Sequence, residues 1–214
     1  KEQDTPQSWS AITSSALKNA AEKLSIDMNE IEKHAPPTNR GTSFSPRKKT
    51  LSKVLPDQLR KWLGDENIKG VIQHETRGHM SSDLVRYTYI SLFGLIHKRS
   101  PVISELPKEL LPNHKNATSG HFVDRFKVQL AHAPSKTITC HISKDSHAFI
   151  HYDPTQSRGL TVREAARLQT FPENYFFEGN RTQQYVQVGN AVPPYLAWQI
   201  GTIVSNILGL PDNY

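Results

Sequence analysis

One cysteine stands in 214 residues. Cys140 has no partner for an internal disulfide, so a reducing compartment, cytoplasmic or otherwise intracellular, is the expected setting. Long apolar runs are missing too. The longest, around Tyr89-Ile-Ser-Leu-Phe-Gly-Leu-Ile96, is too short to span a bilayer. No charged-then-apolar opening marks an export signal. Glycines are scattered: among 11, the nearest pair is Gly64 and Gly70, so no glycine-rich phosphate loop can be drawn. Histidines number 10, yet their spacing excludes a familiar zinc pattern. In His74-Glu-Thr-Arg-Gly-His79 the position four after His74 is Gly78, where a zincin helix needs histidine. No metal site is expected. Hydrophobic residues are also lean, at 36% with a mean hydropathy of −0.57, which favours a polar surface or an unfilled interface.

What is present is positive charge. The net charge of +6 and a pI near 9.4 favour an anionic partner, nucleic acid first and an acidic protein surface second. Arg40, Arg47, Lys48, Lys49, Lys53, Arg60 and Lys61 cluster, with Asp57 alone against them up to Gly64. This is either a solvated basic face or an edge that contacts phosphates. The length suits one ordinary domain or two small ones.

Local patterns give the elements. Residues 1–35 read as helical, with Ile12, Ala16, Ala20 and Leu24 on one stripe, a capping box at Asp27 and Glu30, and a stop at Pro36-Pro37. This segment is a helical pair packed on the rest, or a docking arm for a separate subunit. Residues 38–46 turn to Thr, Asn, Gly, Ser and Pro, a linker composition. Short helical pieces follow around Pro56, formed by Leu51, Val54, Leu55, Leu59, Trp62 and Leu63. Asp83 to Ile96 reads as a buried helix with Leu84, Tyr87, Ile90 and Leu95 inside. Residues 122–129, 137–142 and 147–152 read as strands, the last two joined by a hairpin loop at Ser143–Ser146. Cys140 and His141 are neighbours on such a strand, so they face opposite ways and form no nucleophile–base pair. Cys140 reads as a packed residue.

The richest stretch is Arg158 to Leu208. Thr161 with Glu164 makes a capping box, and Pro172 stops the helix it opens. A second helix should begin at Pro193 or Pro194. Leu196, Ala197, Ile200, Ile203, Val204, Ile207 and Leu208 give it an apolar face, and Gly209 ends it. Before it, Gly189 and Asn190 read as a turn, and the free N–H groups of the following helix start suit an anionic ligand group.

Two motifs here carry a resemblance. Thr161-Val-Arg-Glu-Ala-Ala-Arg-Leu-Gln-Thr-Phe-Pro172 and Gln187-Val-Gly-Asn-Ala-Val-Pro-Pro194 resemble the ninth and tenth motifs of the DNA cytosine-5 methyltransferases, in order. His74-Glu-Thr-Arg-Gly-His-Met80, Leu111-Pro-Asn-His-Lys-Asn116, Phe122-Val-Asp-Arg-Phe126 and His141-Ile-Ser-Lys-Asp145 are similar to one branch of that family. The resemblance covers roughly the last two thirds of the chain. It implies a target recognition domain, then a returning segment that closes an S-adenosylmethionine site, with Gly189, Asn190, Ala191 and Val192 beside the cofactor. The family's Pro-Cys nucleophile is absent, since Cys140 follows Thr139. Its glycine-rich cofactor loop and its Gln-x-Arg-x-Arg motif have no counterpart. Glu66-Asn67-Ile68 imitates the family's Glu-Asn-Val but reads as a loop.

The expected fold is therefore mixed α/β: a recognition domain of strands and loops, then C-terminal helices that complete a Rossmann-like methyltransferase domain. The expected divisions are 1–46, 47–157 and 158–214. The chain would be the C-terminal half or recognition subunit of the enzyme, with duplex DNA and a catalytic half as partners, or self-association in its place. No catalytic residue is assigned. DNA contacts fall to Arg77, His79, Arg86, Lys115, His141, Lys144 and Arg158, because Arg forks onto guanine while Lys and His reach bases or phosphates. Arg163 and Glu164, with Thr161, hold the recognition domain in place. The other reading is a non-catalytic DNA-binding or regulatory module, or a protein-interaction remnant.

Overall fold

A computed structural model describes residues 6–31, 41–46, 55–112 and 125–210. In chain order these form α1 (Pro6–Lys23), β1 (Gly41–Pro46), α2 (Asp57–Leu63), β2 (Gly70–Glu75), α3 (Ser81–His97), α4 (Val162–Leu168), α5 (Arg181–Asn190) and α6 (Pro194–Ile207). Short 3-10 turns punctuate them, including Met28–Glu30, Lys108–Leu110 and Cys140–Ser143. The chain is mixed helix and strand, with β1 and β2 paired in a two-stranded sheet. It folds as two compact units: residues 1–41, 75–137 and 145–160 form the first, and 42–74, 138–144 and 161–214 the second.

Unit 1 is built on α3. This helix is buried nearly all round, from Asp83 to Gly94 with Val85 half-buried. A helix apolar on every side has to be central, and Leu84, Tyr87, Ile90, Leu92 and Phe93 make it so. Its polar residues are satisfied inside: Thr88 Oγ1 donates to Leu84 O, and Ser91 Oγ donates to His151 O at 2.7 Å. Leu95 was expected inside but is 44% exposed, because the last turn of α3 emerges from the core. α1 packs against α3. Its buried stripe is Trp9, Thr13, Ala16, Leu17, Ala20 and Ala21. It is rotated slightly from the expected one, leaving Ile12 half-buried. Asp27 caps the following 3-10 turn through Asn29 N–H.

The three expected strands are not strands. Residues 122–124 lie outside the described residues. Beyond them only isolated bridges form, Val128 to Ile150 in parallel and Ile150 to Gly159 antiparallel. Backbone pairing is confined to a few bonds, Lys127 N–H to His147 O, Ile150 N–H to Lys127 O and Gln129 N–H to Ile150 O. Past Val128 the Gln129 side chain donates to Ala148 O and accepts from Ser135 Oγ and Lys136 N–H. Residues 140–143 coil into a 3-10 turn instead of extending into a hairpin.

Unit 2 gathers α4, α5 and α6 with α2 and the sheet. Thr161 caps α4 as expected: its hydroxyl accepts Glu164 N–H, and Glu164 accepts Thr161 N–H at 2.8 Å. α4 ends at Leu168, four residues before Pro172, with Thr170 in the left-handed region at φ 61°. α6 begins at Pro194. Between them the expected turn at Gly189-Asn190 is the last turn of α5, itself opened by a capping box of Asn180 and Gln183. The residues Pro36-Pro37, Leu51, Val54 and the basic positions 40, 47–49 and 53 lie outside the described residues. Among the described residues no helix is long and apolar enough to cross a membrane.

Candidate functional site

Arg163 is the hub of unit 2. Its side chain is fully buried, and the guanidinium reaches three backbone carbonyls: Ile72 O at 3.2 Å, Pro172 O at 3.2 Å and Tyr175 O at 2.6 Å. It also donates to Gln73 Oε1 at 3.4 Å and lies over the Phe177 ring. A planar fork with several fixed donors is what such a convergence of oxygens requires. Burial lowers its pKa from the ordinary arginine value, and Glu173 opposes that shift. Thr161 is tied in as well, since His74 Nδ1 lies 3.0 Å from its hydroxyl. Buried Glu173 takes a two-pronged ion pair from Arg167, with Nη2 to Oε2 at 2.9 Å.

From this hub the chain passes to the residues expected beside the cofactor. Gln169, at the end of α4, donates from one amide to Val188 O at 3.1 Å and Ala191 O at 3.3 Å. Thr170 Oγ1 accepts Tyr195 N–H, and Thr170 O accepts the Trp62 indole N–H at 2.8 Å. Trp62, Tyr195 and Trp198 then stack, with ring centroids 5.4 to 5.9 Å apart. Gly189 is helical and faces the Cys140–Ser143 turn: a Cβ there would lie 2.4 Å from Cys140 N. Its role is close packing, not the turn that was expected. Asn190 is exposed, Ala191 half-buried, and Val192 62% exposed.

The expected anion site at the start of α6 is weak. Pro193 and Pro194 have no N–H, and Tyr195 N–H is taken by Thr170. Of the residues expected beside S-adenosylmethionine, Asn190 and Val192 are the two left exposed, one with an amide and one apolar. An amide and an apolar side chain could meet a polar and an apolar part of such a group. α6 itself has no buried residue. Leu196, Ile200, Ile203, Val204, Ile207 and Leu208 are all between 47% and 78% exposed.

The DNA-side candidates separate by burial. His141 and Lys144 are exposed, on and just after the Cys140–Ser143 turn, which packs against α5. Arg77 is half-buried in the loop before α3. His79, Arg86 and Arg158 are each under 9% exposed. His79 Nε2 accepts Gly159 N–H at 3.3 Å. Arg86 pairs with Asp83 and donates to Leu110 O at 2.7 Å. Arg158 donates to Gln156 and to Gly159 O. These three hold unit 1 together. Lys115 lies outside the described residues. Beside them Tyr87 OH meets His147 Nδ1 at 2.9 Å, and burial raises the Tyr87 pKa and lowers that of His147. Sequence reading missed Gln169, although it sits inside a quoted motif. It also missed α5, although Asn180-Arg-Thr-Gln183 is a legible capping box.

Comparison with known proteins decides the family. The family described as C-5 cytosine-specific DNA methylase matches residues 4–206. The chain belongs to that family. Its relatives include the type II methyltransferase M.Bpa9945I of Bacillus paralicheniformis, 53% identical over 105 residues. That stretch is 49% of this chain and 23% of the relative. M1.HphI of Haemophilus parahaemolyticus is 31% identical over 134 residues, 63% of this chain and 31% of that methyltransferase. DNA (cytosine-5)-methyltransferase 1B of Oryza sativa is 54% identical over 50 residues, 23% of this chain and 3% of the rice protein. The chain thus matches about a third or less of the length of each. C-5 methylases use S-adenosylmethionine as a family, and type II methyltransferases are the modifying partners of restriction systems.

Proposed function

We propose that this chain is the reading and closing portion of a DNA cytosine-5 methyltransferase, acting with a catalytic part that carries the nucleophile and the glycine-rich loop. One observation carries the reading. The segment 187–194 leads directly into a helix with a continuous apolar face and no buried residue. An exposed stripe of this kind marks a surface made to be covered. Its occupant, on this reading, is the catalytic domain of the same enzyme.

The target carbon of cytosine is hidden in a duplex, so the base must be turned out of the stack before reaction. Bound S-adenosylmethionine supplies the methyl group. This chain's residues hold and orient. Exposed His141 and Lys144 meet the DNA, with Lys144 favouring phosphate by charge. Arg77 is the remaining guanidinium with an accessible path to a base edge. Asn190 offers its amide to the cofactor's polar groups, and Val192 covers an apolar part. Arg163, Thr161 and Glu164 fix the segment between the two tasks. The divisions 47–157 for recognition and 158–214 for closing belong to this proposal.

The test is complementation. The chain is mixed with a polypeptide carrying the Pro-Cys and glycine-rich loops of a close relative, and methyl transfer to duplex DNA is followed. Transfer in the mixture alone supports the reading. Transfer by this chain alone overturns the division of roles. Salt-sensitive DNA binding without transfer in any mixture makes the chain a non-catalytic binding module.

A further inference from the structure

We propose that Gln169 is a positioning residue for the cofactor-side segment, and that through it the ninth-motif helix sets where Asn190 points. The inference rests on the methyltransferase reading above. The last carbonyls of a helix have no partner within the helix and are usually left to water or to a glycine cap. In α5 they are not. Gln169 is 7% exposed, and its amide donates to the carbonyls of Val188 and Ala191. Those two bonds bracket Gly189 and Asn190. Ala191 N–H returns to Val188 O at 3.4 Å, so one carbonyl closes the helix and accepts the clamp together.

The next residue fixes the far end. Thr170 Oγ1 accepts Tyr195 N–H at 3.2 Å, and Thr170 O accepts the Trp62 indole. Thr170 reaches both because its backbone is left-handed, at φ 61°. Residues 188–195 therefore hang from a dipeptide. The dipeptide in turn is held by α4, which Arg163 ties to Ile72, Pro172 and Tyr175. An amide NH2 is suited to this position because it supplies two donors in one plane. A side chain of the same size without donors would keep the packing and lose the aim.

Two variants separate aim from packing. Gln169→Met keeps the volume and has no donor. Gln169→Glu has the same shape and donates only when protonated. On the chain alone, amide hydrogen exchange is measured at Gly189 to Val192 and at Tyr195. Gln169→Met should speed exchange there by about tenfold or more, the scale of one or two neutral hydrogen bonds, with the unfolding transition of the chain still cooperative. In the complementing mixture, KM for S-adenosylmethionine should rise by about tenfold while kcat and DNA affinity stay within about twofold. The Gln169→Glu defect should shrink as pH falls from 8 to 6, and the Gln169→Met defect should not. Native exchange rates in Gln169→Met overturn the inference, whatever the mixture does. A fall in kcat with KM unchanged also overturns it, since that marks lost folded protein. If exchange speeds up as expected but the native mixture transfers no methyl group, the enzyme reading fails and takes the cofactor consequence with it.

Discussion

Replacing Gly189 by alanine should destabilise the chain, although the same change in a helix ordinarily stabilises. Alanine in place of glycine within a helix gains about 0.5–1 kcal/mol. At Gly189 the new Cβ would lie 2.4 Å from Cys140 N and from Thr139 C, and 2.6 Å from Cys140 Cα. Carbon contacts settle at about 3.5–4.0 Å, so α5 and the Cys140–Ser143 turn must separate by about 1 Å. All three atoms are backbone, so no side chain can swing aside. Buried Tyr185 and Val188 sit on the same helix and would be lifted with it. Overpacking of this kind costs about 1–3 kcal/mol. The clash wins, with a net loss of about 1–2 kcal/mol. Gly201 in α6 is the matched control, because a Cβ there meets nothing within 4 Å. Gly201→Ala should gain about 0.5–1 kcal/mol. The two variants should then differ by about 2 kcal/mol for an identical chemical change. Urea denaturation followed by tryptophan emission measures this, with Trp62 and Trp198 reporting on unit 2 in a Trp9→Phe background. A Gly189→Ala midpoint equal to or above the parent's would refute the reasoning, for it would mean that the turn does not bed on the helix backbone.

Other perturbations follow from the same structure. Arg163→Met strips donors from Ile72, Pro172 and Tyr175 carbonyls and should cost about 3 kcal/mol or more; Arg163→Lys should rescue little in the same urea assay, because a point cation cannot span them. Thr161→Ala removes the α4 cap and should cost about 1 kcal/mol by thermal denaturation. Burial lowers the His147 pKa in the folded state, so its neutral form is favoured there. That share of stability is complete above the unfolded value of about 6.5 and is lost as pH falls through the depressed folded value. Trp9 emission should show unit 1 weakening below about pH 6.5, and His147→Gln should flatten that slope. Glu105, held at about 2 by Arg99 and Val102 N–H, acts only in a more acidic window. Ile203→Glu and Ile207→Glu should leave the chain's own denaturation within about 0.5 kcal/mol, because both side chains are exposed, yet abolish methyl transfer in the mixture.

What could be read from the sequence was what is local. The Thr161 cap, the Pro194 helix start and the apolar α3 each depend on a few neighbouring residues, and each formed. α5 was hidden because Gly189-Asn190 reads as a turn when the neighbour that demands a glycine is 49 residues away, at Cys140. The expected strands shrank to single bridges at Val128, Ile150 and Gly159, a pairing that depends on residues far apart in sequence. Charge says nothing of burial: Arg86 and Arg158 are buried against Asp83, Leu110 and Gln156, partners that only the fold reveals. Gln169 lay in plain view within a motif, and its purpose became visible only with the carbonyls it meets.

The two units are woven from alternating segments, so the chain changes allegiance five times, after residues 41, 74, 137, 144 and 160. Neither can be excised by a single cut. An exchange of either unit with a relative's through one crossover would leave both units broken.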